Sequence, residues 1–294
     1  MIRLPGILKV AAVLFAEFLT VYVLFNNPLI AGIVTGMVTL YVWLGGYLSL
    51  FKEGAVHADK LPNYERTRLE SVKNQLVEEV KDTSSADISN IKLYLIPGDS
   101  ELQATAYGAN CVSVSRGAFD NTDPLTLNAV LGHEISHTLN LDAEFSRAVF
   151  SAILLLCGAL SVMSFAFMAV IFLVFLVCSF FRPWLGVVAF RGTTKAVGGI
   201  FSLFQKGIVV IYRAVASGLS RAAEYRSDLY SAQLGYGLQL AHFLSYAASE
   251  SNRQLTLTEA LYRTHPATPK RVARLEAYVS DETYLELKNK DERK

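Results

Sequence analysis

The sequence predicts a mainly α-helical protein in which apolar transmembrane helices alternate with polar segments that carry a small β-sheet. Three observations support this. Leu29–Phe51 and Ala148–Phe181 contain no charged residue, and each is long enough to cross a hydrocarbon core of about 30 Å. Of the 294 residues, 52% are hydrophobic and only 18% charged, against about 25% in soluble domains, and the mean hydropathy is +0.33. Between residues 91 and 115, short β-branched runs alternate with turn residues. A net charge of +1 gives no basis for nucleic-acid binding. Cys111, Cys157 and Cys178 are too scattered for a disulfide framework or a thiolate metal site, and read as inert.

Four parts follow from the composition shifts. Residues 1–51 form a transmembrane hairpin: Val10–Phe25 is apolar except for Glu17, Asn26-Asn27-Pro28 turns the chain, and Leu29–Phe51 returns it. A cleaved signal peptide is disfavoured, because no small-residue cleavage site is evident and a second span follows at once. Arg3, Lys9 and Lys52 place both flanks of the hairpin on the cytoplasmic side by the positive-inside rule.

Residues 52–147 are polar. Leu69, Val72, Leu76, Val77 and Val80 recur at helical spacing among charged residues. Ile91–Ile96 reads as a strand closed by Pro97-Gly98, and Gln103–Tyr107 and Cys111–Ser115 as strands joined by a Gly108-Ala109-Asn110 hairpin turn. An exposed sheet edge here would hold an extended peptide through its backbone. Asp123-Pro124 then opens a helix, as cap and first-turn proline, that runs to about Leu141.

Residues 148–219 form a membrane insertion. As one helix, Ala148–Phe181 would extend about 50 Å, so it is either one long tilted helix or two broken near Gly158. Val197–Leu219 contains Gln205, Lys206 and Arg213 and reads either as a second span or as an amphipathic interfacial helix. Residues 220–294 are polar again, with helices predicted over Arg221–Gln233, Leu238–Ser249 and Thr268–Tyr278. A charged, solvated tail closes the chain.

The chemistry sits in Leu131-Gly132-His133-Glu134-Ile135-Ser136-His137. On a helix, residues i and i+4 share a face, so His133 and His137 can reach one cation. Neutral imidazole suits Zn²⁺, and Glu134 can act as general base on a water at the metal. Such a site takes three protein ligands. Glu224-Tyr225-Arg226-Ser227-Asp228 offers Glu224 as the third and Asp228, four residues on, to accept the ring N–H of a ligand histidine. Read alone, Arg221, Glu224 and Asp228 would suit an ordinary charged helix face.

These stretches, with Thr264-His265-Pro266 and Arg271, resemble the integral-membrane zinc metallopeptidases of the HtpX type, whose wider group includes the CAAX prenyl proteases and the Oma protease. The resemblance covers nearly the whole chain. It implies a zincin-type (gluzincin) metalloprotease domain with a small β-sheet, plus transmembrane helices. It further implies one Zn²⁺ held by His133, His137 and Glu224, with Glu134 catalytic and Asp228 behind the ligands.

His265 is a candidate to stabilise an oxyanion or to act as a fourth ligand, and Arg271 to bind a substrate carbonyl. Their bland alternatives are a turn-capping histidine and a surface salt bridge. Where the family's substrate-side strand often reads Asn-Ala-Phe-Ala before glycine, this chain has Gln103-Ala104-Thr105-Ala106-Tyr107-Gly108. Strand-mediated binding uses backbone groups, so Gln103 to Tyr107 stay candidate substrate-binding residues, without a side-chain role for position 103. His57 and His242 lie outside the motifs and read as structural or exposed.

The expected activity is endoproteolysis of misfolded or damaged membrane proteins by a multi-pass inner-membrane enzyme of the bacterial type. Its partners would be polypeptides and the bilayer. A CAAX-type prenyl protease resembles a larger multi-span chamber than this chain offers. A non-catalytic membrane scaffold with a vestigial site is opposed by the intact His133, Glu134, His137, Glu224 and Asp228.

Overall fold

A computed structural model describes residues 4–83, 86–108, 110–181, 183–250 and 268–291. Helices α1 (Leu4–Phe25) and α2 (Pro28–Lys52) form the expected hairpin, with Asn27 accepting the Leu29 and Ile30 amides to start α2. Helix α6 (Asp142–Phe181) is unbroken through Gly158, and α7 (Pro183–Ser231) returns alongside it. The pair is antiparallel: Gln205 donates to Ser161 at 2.9 Å, Phe201 packs on Phe167, and Phe190 stacks near Phe175. Val197–Leu219 is therefore part of a long helix packed on α6. Among the described residues, α1, α2, α6 and the stretch Phe190–Ser249 are long and apolar enough to cross a membrane, by length and composition.

The polar segments build one core. Helix α3 (Asn63–Thr83) buries Leu69, Val72, Leu76 and Val80, as their spacing predicts. Strand β1 (Val56–His57), unforeseen, is two residues long and pairs antiparallel with β2 (Lys92–Ile96). His57 then caps a short 3-10 turn over Ala58–Lys60, accepting the Asp59 amide, a structural role. Strand β2 runs parallel to β4 (Cys111–Ser115), and β4 pairs antiparallel with β3 (Ala104–Gly108), giving the order β1-β2-β4-β3. One of the two sheet edges is thus β3, the strand expected to hold substrate. Gly108, at φ +81°, takes the left-handed conformation the hairpin requires.

A short helix α4 (Arg116–Asn121), capped by Ser115, leads to the motif helix α5 (Pro124–Leu139). Asp123 caps α5 by accepting the Leu125 and Thr126 amides at 2.9 and 3.1 Å. The expected helix over Arg221–Gln233 is not separate. It is the last turns of α7, followed by a π-helical turn at Ala232–Tyr236 that contains Gly235 at φ +90°. Helices α8 (Gly237–Glu250) and α9 (Thr268–Asp291) close the chain, α9 running through much of the predicted tail. Leu69, Leu76, Leu95 and Leu131 share a core with Leu240 and Leu275, so the stretches before and after the membrane insertion fold as one body.

Candidate metal centre

Helix α5 presents His133 and His137 on one face, as their spacing requires. Helix α7 reaches them because the contact is close. Ser231 donates to the Ala129 carbonyl at 2.7 Å, and a side chain at Gly132 would press on Leu234. Glu224, Asp228 and Ser231 are spaced i, i+4 and i+7 and share the face of α7 that meets α5. The result gathers residues 91 positions apart. His133 Nε2 lies 3.2 Å from His137 Nε2 and 3.4 Å from Glu224 Oε2, and His137 Nε2 lies 3.6 Å from Glu224 Oε1.

The donor set fits zinc. A cation bound tetrahedrally about 2.0–2.1 Å from each donor separates the donors by about 3.3 Å, which these three spacings bracket. Two imidazoles and one carboxylate also match the ligand types of catalytic zinc sites. Among the described residues, His133, His137 and Glu224 are the group of metal-ligating side chains close enough to share an ion. His133 and Glu224 are only 6% and 4% exposed, so little solvent is available to screen their charges.

Each histidine has a carboxylate behind it. Asp228 Oδ1 lies 3.0 Å from His133 Nδ1, as its position in the Glu-x-x-x-Asp pattern suggests. Burial pushes the His133 imidazole down, but Asp228 and Glu224 beside it outweigh that and raise it to about 9. The pocket is thus arranged to hold positive charge at this position. Behind His137 stands Asp142, whose Oδ2 lies 2.9 Å from Nδ1. The sequence reading missed Asp142 because it follows the motif helix directly and reads as the first polar residue before a membrane span.

Arg271 is buried behind the acidic residues of α7. It is not a surface salt bridge: it is 7% exposed, clamps Asp228 through Nε and Nη2 at 2.8 and 2.6 Å, and lines the cavity beside Glu134. Its Nη1 lies 3.0 Å from Glu224 Oε2, so one guanidinium braces both acidic residues of α7. His265 falls outside the described residues.

Glu134 points to the sheet. Its Oε2 accepts the Ala106 amide of β3 at 2.8 Å, which sets the carboxylate between the strand edge and the histidines. Gln103, Ala104, Thr105 and Ala106 line a cavity of about 730 Å³ together with Glu134, His133, His137 and Glu224. Tyr107 does not belong with them: its hydroxyl donates to Glu53 and its carbonyl accepts from Arg147 at 3.0 Å, which ties this end of β3 to α2 and α6. The same cavity is walled by Tyr212, Ala216 and Leu219 of α7, so it runs from the histidines toward the long helices.

Among curated proteins, no significant sequence match was found. A solved structure described as the crystal structure of S. mikatae Ste24p has the same fold, with a TM-score of 0.52 at 16% identity over 89% of this chain. The chain spans 62% of the length of that protein. The sequence profile of Peptidase family M48 matches residues 65–279, from α3 through both halves of the candidate centre to Arg271. The chain belongs to Peptidase family M48, a family of zinc-dependent peptidases.

Proposed function

We propose that this chain is a membrane-bound zinc endopeptidase in which His133, His137 and Glu224 hold one Zn²⁺. The observation that carries the reading is the convergence of the two imidazole Nε2 atoms, 3.2 Å apart, on the two oxygens of Glu224 at 3.4 and 3.6 Å, set beside a carboxylate that touches an edge strand. Zinc, when bound, supplies a Lewis acid that makes water nucleophilic near neutral pH. Glu134 takes the proton of the attacking water and returns it to the leaving amine, so it acts first as base and then as acid. Asp228 and Asp142 hold the imidazoles of His133 and His137 with their Nε2 atoms turned to the common point.

Backbone groups of Ala104 and Ala106 hold substrate. Gln103 turns its carbonyl to Ser115 of β4 while the Ala106 amide faces Glu134, so by strand alternation Ala104 and Ala106 face the cleft. An extended peptide laid there would be read by its main chain, which favours broad sequence tolerance. The walls contributed by α7 support substrates that emerge from a bilayer, and hence a role in removing misfolded or damaged membrane proteins. The flanking charges Arg3, Lys9 and Lys52 support a cytoplasmic catalytic side.

Cleavage of casein by the purified full-length chain tests the reading. Activity is expected to vanish on chelation and to return with zinc. Cleavage that persists in zinc-free protein would overturn it.

A further inference from the structure

Helix α1 is pressed onto the turn that follows His137. A side-chain carbon at Gly6 would lie 2.7 Å from the Asn140 carbonyl oxygen, so the helix approaches closer than any other residue would allow. Three residues later, Lys9 Nζ lies 2.6 Å from Asp142 Oδ1 and sits 5.0 Å above the Phe145 ring. Val10 is buried with Leu141, Val42 and Ala148. Leu141 adopts φ +54°, a left-handed conformation that a leucine keeps only where its surroundings impose it. Deeper along α1, the buried Glu17 accepts the Ser151 hydroxyl at 2.6 Å, which fixes the register of α1 on α6.

Asp142 is the point where these contacts meet the metal centre. Oδ1 is held by Lys9, while Oδ2 meets His137 Nδ1 and accepts from Arg226. Its arrangement parallels that of Asp228, which faces His133 and is braced by Arg271. The difference is origin: one brace of Asp142 comes from the first membrane-crossing helix, 133 residues earlier in the chain.

We propose that Lys9 is a positioning residue for the metal centre. Through Asp142 it orients His137, so the seating of α1 sets the affinity of the site for zinc. This rests on the assignment of His133, His137 and Glu224 as ligands. It makes the N-terminal hairpin part of the catalytic unit as well as an anchor. A partner one step behind a ligand, as Asp142 is, is worth about 10- to 100-fold in metal affinity, and Lys9 acts through it at the lower end of that range.

The test is competition for zinc between the detergent-solubilised full-length chain and a chromogenic chelator. Lys9→Met and Lys9→Gln are expected to bind zinc about tenfold more weakly than wild type. Lys9→Arg should stay near wild type, and so should Lys81→Ala, which removes an exposed pair with Glu78. Casein cleavage by Lys9→Met should recover as free zinc is raised, which a folding defect would not do. Zinc affinity unchanged in both Lys9→Met and Lys9→Gln overturns the proposal while leaving the ligand assignment intact. A wild-type chain that binds no zinc overturns the assignment itself, and the proposal with it.

Discussion

The Ala106 amide donates to Glu134 Oε2 at 2.8 Å, joining the proposed general base to the strand proposed to hold substrate. The outer edge of β3 therefore aligns the carboxylate and is the edge proposed to pair with peptide. Ala106→Pro removes that donor while leaving intact the strand face paired with β4, since proline is tolerated at the open side of an edge strand. Losing a hydrogen bond to a charged group predicts a fall in kcat/KM of about 10- to 100-fold with little change in Tm. Thr105→Pro, one residue away but facing β4, should instead lower Tm sharply. Equal thermal losses in the two variants would contradict the assigned strand faces.

Arg271 braces two carboxylates in a nearly dry site. Arg271→Met removes the buried cation that braces Asp228 and Glu224 and leaves their charge to His133 and His137, and breaking a buried pair from one side costs about 3–5 kcal/mol. The expected outcome is a large drop in Tm together with loss of zinc. Arg271→Lys should recover only part of both, because an ammonium lacks the planar fork that grips Asp228. Thermal unfolding and metal analysis of the two variants check this.

Asp123 starts the motif helix from outside the site. Hydrogen bonds from the Thr126 hydroxyl and amide hold its carboxyl below the ordinary value of 3.8. The folded chain therefore binds this proton less readily than the unfolded chain. The stabilisation is present above about pH 4 and is lost as pH falls through the lowered value. Asp123→Ala should cost about 1 kcal/mol at neutral pH and leave zinc stoichiometry unchanged. Chemical denaturation at neutral and acidic pH measures both effects, with the mutant's deficit shrinking as pH falls.

Much of the centre was legible in the sequence because helical spacing fixes side-chain direction. His133, His137, Glu224 and Asp228 lie on two helix faces that a short motif suffices to define. The membrane hairpin, α3 and the β3–β4 pair follow equally local rules. What escaped notice depends on contacts between distant residues. Lys9 reads as a topogenic charge, yet it ends on Asp142; Arg271 reads as a substrate-carbonyl binder or a surface salt bridge, and its bracing of two carboxylates could not be foreseen. Strand β1 is too short for alternation to register, and its pairing with β2 is visible only once the fold is formed. The continuity of α7 was hidden by Lys206 and Arg213 inside an apolar run, which left a second span and an interfacial helix as alternatives.

Two antiparallel helix pairs, α1–α2 and α6–α7, predict a topology in which the polar segments share one side. Single cysteines at positions 27 and 188, near the turns of the two pairs, should react with an impermeant reagent added outside the cell. A cysteine at position 60 should react only after permeabilisation. Labelling at 60 from outside would contradict the cytoplasmic placement.

The most direct measurement is the rate of casein cleavage by zinc-loaded Glu134→Gln against zinc-loaded wild type. Glutamine keeps the size of the side chain and leaves His133, His137 and Glu224 untouched, so the metal content of the two proteins should match. Removing a group that transfers protons in the transition state typically costs 10²- to 10⁴-fold. A loss of at least about 100-fold in kcat at equal zinc content is the expected result. Equal rates in the two proteins would contradict the role assigned to Glu134 and, with it, the proposed mechanism.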